Sequence, residues 1–173
     1  ENEADSAFRI NAVGAGFAAT AANECGIPII HISTDYVYDG AKQSPYVETD
    51  PTSPVSVYGS SKLAGEQAVA AANPRHVILR TAWVHSPFGA NFVKTMLRLA
   101  ATRPEISVVD DQRGNPTYAP HLAEAILAIA GSILERGDGE RRFGIYHAAG
   151  RGDVTWCGLA RQVIDCAARH GLP

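Results

Sequence analysis

Two rhythms of apolar residues alternate along this chain. Residues 4–25 set Ala and larger apolar side chains at helical spacing and stop at Gly26, a residue well suited to ending a helix. Residues 27–34 follow with the apolar, β-branched run Ile29-Ile30-His31-Ile32 and then Ser33-Thr34-Asp35, so a buried strand delivers Thr34 to its C-terminal end. The stretch 35–53 is rich in turn formers and acids, and it is too long for a plain connector; such loops inside a domain usually carry function. The pattern then predicts a helix over 55–72 closed by Asn73-Pro74 and a strand over 76–83. A helix over 91–102 and a short strand over 106–109 come next. They are followed by a strongly apolar helix over 121–134, a strand over 143–148, and a last helix over 155–170 with Thr155 as its N-cap. Strands alternating with helices predict an α/β fold with a doubly wound parallel sheet.

Composition narrows the class. The 173 residues are 46% hydrophobic, an ordinary globular content, and with a formal charge of −3 and scattered basic residues nothing suggests a nucleic-acid footprint. No apolar run approaches the ~20 residues needed to span a bilayer, and no signal-peptide pattern opens the chain. Cys25, Cys157 and Cys166 are odd in number and lack metal spacing, so they read as reduced, mostly buried thiols of a cytoplasmic protein. His85, His121 and His147 share no metal-site spacing, and the acids Asp39, Glu48 and Asp50 read as a solvated face, so no metal is expected. His31, in mid-strand, reads as a satisfied core histidine.

The chemistry concentrates in Tyr58-Gly59-Ser60-Ser61-Lys62. Four residues apart on a helix, Tyr58 and Lys62 share a face. Ligands of open α/β sheets bind at the C-terminal strand edge, where Thr34 arrives, so a phenol, an ammonium and a hydroxyl converge there. An ammonium beside a phenol favours its ionised form, which suits the phenol to donate a proton to a carbonyl.

Around this set stand Ser33-Thr34-Asp35-Tyr36-Val37-Tyr38-Asp39-Gly40, Tyr46-x-Glu48-x-Asp50-Pro51 and Pro54-x-Ser56-x-Tyr58-Gly59-x-Ser61-Lys62-x-x-Gly65-Glu66. Leu79-Arg80-Thr81-Ala82-Trp83-Val84, Phe88-Gly89-x-Asn91-Phe92-Val93 and Asp110-Asp111-Gln112-Arg113-Gly114-x-Pro116-Thr117 follow in order. Over nearly its whole length the chain resembles the dTDP-4-dehydrorhamnose reductase family of extended short-chain dehydrogenase/reductases. The resemblance implies a partial Rossmann-like region over 1–84 and mixed Rossmann and substrate-lobe elements over 85–173. It implies an NAD(P)H-dependent oxidoreductase that reduces the 4-keto group of dTDP-4-dehydro-rhamnose to give dTDP-L-rhamnose.

In that reading Tyr58 is the acid, Lys62 assists it and holds the nicotinamide ribose, and Thr34 hydrogen-bonds the keto oxygen. Trp83, Asn91, Gln112 and Arg113 face the nucleotide sugar, with Arg113 nearest the diphosphate because guanidinium binds phosphate oxygens in pairs. Asn11 takes a position the wider superfamily uses to organise the sheet. The related 4,6-dehydratases carry Asp-Glu after this threonine. Here Tyr36 stands in the second place and cannot serve as a carboxylate base at neutral pH, which favours reduction without dehydration.

Two relatives stay open as alternatives: a reductase of another nucleotide-linked deoxysugar, and a non-catalytic subunit like the regulatory subunit of methionine adenosyltransferase. The cofactor is NADPH or NADH, and a homodimer is the candidate assembly. Gly14 and Gly16 lie inside a helical run with no strand before them, so they read as small residues for close packing and not as a dinucleotide fingerprint. With that fingerprint missing, and with the chain closing on Gly171-Leu172-Pro173, the expectation is a fragment that binds cofactor poorly by itself.

Overall fold

A computed structural model describes residues 3–136 and 143–171. Residues 1–2, 137–142 and 172–173, the last two within the C-terminal Gly-Leu-Pro, lie outside the described residues. In chain order the elements begin with α1 (Ala4–Phe8), a π-helical segment (Arg9–Gly14), α2 (Ala15–Glu24), β1 (Ile29–Thr34), a 3-10 turn (Asp35–Val37), α3 (Val57–Ala72), β2 (His76–Thr81) and β3 (Val84–His85). They continue with α4 (Phe92–Ala100), β4 (Arg113–Gly114), β5 (Thr117–Tyr118), α5 (Ala119–Arg136), β6 (Gly144–His147), β7 (Val154–Thr155) and α6 (Trp156–Arg169). Two compact units divide them: Glu1–Thr81 with Ala125–Ala148, and Ala82–Glu124 with Ala149–Pro173.

The first unit is built on a parallel sheet in the order β1-β2-β6, with Ile29 opposite His76 and Thr34 opposite Thr81. Side chains alternate across it. Val77 and Leu79 meet Ile30, Ile32 and the α5 residues Ile126, Ile129 and Ile133 on one face. Ile78 meets Ala19 of α2 and Val69 of α3 on the other. Helices thus cover both faces, and the doubly wound α/β expectation holds. Each fully buried aliphatic side chain contributes roughly 1.5–3 kcal/mol.

The face under α3 also carries charge. Glu66 and Arg80 are 2% and 5% exposed, and they meet in a two-pronged ion pair, Nε to Oε1 at 2.9 Å and Nη2 to Oε2 at 2.6 Å. Ser33 Oγ donates to the same Oε1 at 2.5 Å. Arg80 Nη1 donates to the Tyr38 hydroxyl at 2.6 Å, and that hydroxyl spends its one proton on Val47 O at 3.1 Å. His147 Nε2 lies 2.9 Å from the same hydroxyl. The backbone N–H of His147 donates to Glu48 at 2.9 Å, so the acidic loop is pinned to β6 at its far end.

The second unit holds two short pairings, β3 with β5 in parallel and β4 with β7 in antiparallel. The Thr155 hydroxyl caps α6, accepting from Gly158 N at 2.9 Å, as expected. The strand expected at 106–109 does not form. Its ladder would need a neighbour, and the backbone bond that Val109 makes is a lone acceptance from Cys157 N at 3.0 Å. Two thiols also depart from expectation. Cys25 and Cys166 are exposed, the first at the C-cap of α2 and the second on the outer side of α6, while Cys157 is half-buried.

Removing one partner of a buried ion pair strands the other's charge, which costs roughly 3–5 kcal/mol. Arg80→Met should therefore lower unfolding stability by an amount of that order, and Glu66→Leu combined with Arg80→Met should cost less than the two singles summed. Denaturant unfolding measures both. Strict additivity would refute the pairing.

Candidate functional site

One stripe of α3 organises the first unit's polar groups. Tyr58, Lys62 and Glu66 follow one another at four-residue steps and so share a helix face. The helix begins at Val57 because Ser56 caps it, accepting from Gly59 N at 3.0 Å. A Cβ on Gly59 would stand 2.2 Å from Tyr36 O, so only glycine lets α3 come this close to the turn after Thr34. Lys62 Nζ donates to Ile32 O at 2.6 Å. The Tyr58 ring meets Tyr36 edge-on, 5.9 Å between centroids.

Tyr58 therefore touches the chain two residues after Thr34, and Lys62 touches it two residues before. Thr34 lies between those two positions along the chain. Burial pulls the Lys62 ammonium down from its usual pKa, with the Glu66 carboxylate opposing. With one bond to Ile32, that ammonium keeps two further N–H donors. Tyr58 is 50% exposed, and its hydroxyl has no hydrogen-bond partner among the described residues.

Thr34 is buried, and its hydroxyl is engaged on both sides. It accepts from Tyr36 N at 3.2 Å and donates to Asp35 Oδ1 at 3.1 Å. Burial raises the Asp35 carboxyl above its ordinary range, against the opposing bond from Thr34. The Asn11 amide lies in the π-helical segment and donates to Ser61 Oγ at 3.0 Å, so it ties the first helix to α3. A Cβ on Gly65 would stand 2.1 Å from Asn11 O, a second close approach along the same helix. Local spacing assigns no role to Glu66 or Arg80. An arginine inside a buried strand was the signal, because such residues are almost never buried unpaired.

The remaining expected residues belong to the second unit. Asn91 caps α4, accepting from Lys94 N at 3.1 Å and donating to Ser86 O at 2.7 Å. Gln112 is exposed, and its carbonyl accepts from Trp156 N at 3.3 Å. Arg113 is exposed and grips Asp153 through Nε at 2.7 Å and through Nη2. Trp83 is half-buried and stacks on Trp156. Among the described residues no helix is long and apolar enough to cross a membrane.

Comparison with known proteins matches residues 1–171 to the RmlD substrate binding domain. A dTDP-4-dehydrorhamnose reductase of Sinorhizobium fredii is 52% identical over 165 residues, covering 95% of this chain and 55% of that protein. The dTDP-4-dehydrorhamnose reductase of Escherichia coli K12 is 43% identical over 173 residues, 100% of this chain and 57% of that protein. Among solved structures, dTDP-4-dehydrorhamnose reductase of Bacillus anthracis in complex with NADP matches with a TM-score of 0.88 at 39% identity, covering 97% of this chain and 57% of that one. The architecture is the Rossmann-like one of these reductases. The chain spans a little over half the length of the relatives it matches.

His31 departs from the satisfied core histidine expected of it: its Nε2 is buried with no hydrogen-bond partner. Burial first, then the Lys62 ammonium, lower its pKa from 6.5 to about 4, with Glu66 opposing. The unfolded chain protonates His31 below about 6.5 while the fold resists until about 4, so this residue's share of stability falls as pH drops through that window. Asp35 acts in the opposite sense, its raised carboxyl gaining a proton in the fold before the unfolded chain does. Urea midpoints across this range should fall less steeply for His31→Gln than for wild type. Parallel curves would exclude His31 as the group responsible.

Proposed function

The chain belongs to the RmlD substrate binding domain family, and on that premise we propose that the whole protein reduces the 4-keto group of dTDP-4-dehydro-rhamnose to give dTDP-L-rhamnose. What supports this reading is the shared face of α3 that carries Tyr58, 50% exposed, and the Lys62 ammonium, which bonds Ile32 O two residues before Thr34 and keeps donors to spare. Those two groups fit a nicotinamide cofactor, NADPH or NADH: Lys62 would hold the ribose hydroxyls, and Tyr58 would stand over the reacting carbonyl. Such a cofactor supplies the hydride when bound. Tyr58 gives its phenolic proton to the carbonyl oxygen, and Lys62 stabilises the phenolate left behind. Thr34 turns its hydroxyl from Asp35 to the same oxygen and stabilises the charge that develops there.

Trp83, Asn91, Gln112 and Arg113 are assigned to the nucleotide sugar, Arg113 exchanging Asp153 for the diphosphate. The partners in this reading are the nucleotide sugar and a second copy of the chain, with no nucleic acid and no membrane, in the cytoplasm. A homodimer is supported by the outer side of the π-helical segment and α2, where Ile10, Val13 and Phe17 are 69%, 49% and 71% exposed and no charge occurs from Ile10 to Asn23. Phe17→Glu should then convert a dimer to a monomer by light scattering, and an unchanged mass would refute this face.

In the full-length protein, Tyr58→Phe should lower turnover by on the order of 10²-fold or more, the scale of a positioned general acid. Oxidation of NADPH in the presence of dTDP-4-dehydro-rhamnose measures it. Full activity in Tyr58→Phe would exclude its role as acid. A folded, cofactor-binding wild type without turnover would favour the regulatory-subunit reading.

A further inference from the structure

Trp83 departs from both of the usual settings for a tryptophan, the core and the open stacking platform. It is the one non-glycine residue with positive φ among the described residues, at 47°. A side chain held there is strained and persists only where its surroundings impose it. Those surroundings can be read directly. Trp156 lies against one face of the indole, 3.5 Å between centroids and 10° from parallel, and Phe92 backs Trp156 at 4.5 Å. Thr117 N donates to Trp83 O at 3.2 Å and fixes the backbone.

The opposite face is covered as well. A Cβ on Gly114 would stand 2.3 Å from Cε2, 2.6 Å from Nε1 and 2.7 Å from Cζ2 of Trp83. An atom approaching Cε2 in the ring plane would come closer to the two neighbouring atoms than to Cε2 itself. The order found is that of an atom above the plane. Trp156 fills the space over the other face, so the Gly114 backbone closes this one. What remains open is the edge. Nε1–H has no partner among the described residues, and it is absent from the buried unpaired atoms, which are His31 Nε2 and Thr81 Oγ1.

We propose that Trp156 and Gly114 are positioning residues that clamp Trp83 between them, so that a ligand meets the indole edge and its Nε1–H donor instead of its face. The inference rests on the assignment of Trp83 to the substrate sugar. It makes the ligand group an oxygen acceptor of the pyranose, a hydroxyl or the keto oxygen, in place of the apolar side of the ring. The clamp also accounts for glycine at 114, because any side chain there would displace the indole.

The test uses the full-length protein, with dTDP-L-rhamnose as the probe and dTDP as the control that lacks the sugar. Benzothienylalanine at position 83 keeps the shape and stacking of tryptophan and removes only the N–H. Calorimetry should show dTDP-L-rhamnose binding weakened roughly 5–10-fold, the scale of one lost hydrogen bond, with dTDP binding unchanged. Trp156→Ala should raise KM for the 4-keto sugar nucleotide by a similar factor at nearly constant kcat, and Trp156→Phe should restore it. The ultraviolet circular-dichroism couplet of the stacked indoles should vanish in Trp156→Ala and in Trp83→Phe. Undiminished binding with benzothienylalanine would overturn the edge donor, and a couplet that survives Trp156→Ala would overturn the clamp. A wild type that binds dTDP-L-rhamnose no better than dTDP would overturn the sugar assignment itself, and the inference with it.

Discussion

Among the described residues, the polar groups of the first unit are organised by the buried Glu66–Arg80 charge pair. Glu66 and Arg80 have exchanged water for each other, and neither has a cheap alternative inside the fold. The pair sets the register of α3 against the sheet. Slipping the helix by one residue would rotate its side chains by about 100° and carry Glu66 off the guanidinium. Lys62 and Tyr58 ride on the same stripe, so whatever fixes Glu66 fixes them. The carboxylate also takes the proton of Ser33, the residue before Thr34, and Arg80 reaches Tyr38 at the root of the acidic loop. Strand end, helix face and loop are thereby referred to one point.

This organisation was half legible in the chain. The alternation of strand and helix, the four-residue step from Tyr58 to Lys62 and the arrival of Thr34 at a strand end are local patterns, and local sterics and hydrophobic period determine them. Glu66 continues the same step and stood in plain view, yet its role depends on Arg80 lying opposite, which only the crossover from β1 through α3 to β2 brings about. The unpaired Nε2 of His31 follows from its inward place in β1, where α3 offers glycine and no hydrogen-bonding partner. The misread strand at 106–109 has a related cause. An apolar run of four residues satisfies the periodicity, but a strand exists only where a neighbour completes its ladder, and periodicity carries no information about neighbours.

Trp83 shows the same limit in the second unit. Its place just past a strand was evident from the sequence. Which of its surfaces is free depends on Trp156 and Gly114, and contacts from such distant positions leave no local signature. The two units achieve rigidity differently. In the first, the Tyr38 hydroxyl gathers Arg80, Val47 and His147 into one hydrogen-bonded group. In the second, stacked rings and a bare backbone hold an unfavourable dihedral in place. In the proposed reduction both hold side chains whose geometry must be kept to about 0.5 Å if they are to act on a ligand.

The engagement of Thr34 bears on how such a site separates ground state from transition state. Its only proton points at Asp35, so a neutral ketone must compete with a carboxyl already in place. As negative charge develops on the ketone oxygen, the competing bond becomes charge-assisted and roughly twice as strong as a neutral one. Burial of Asp35 tips the exchange further, because the same surroundings that raise its pKa disfavour the ionised carboxylate that would hold the proton best. In the proposed reduction, Thr34 contributes little to holding the substrate and more to stabilising the alkoxide-like state, which is the difference that raises a rate. The internal bond to Asp35 therefore sharpens the donor for the transition state.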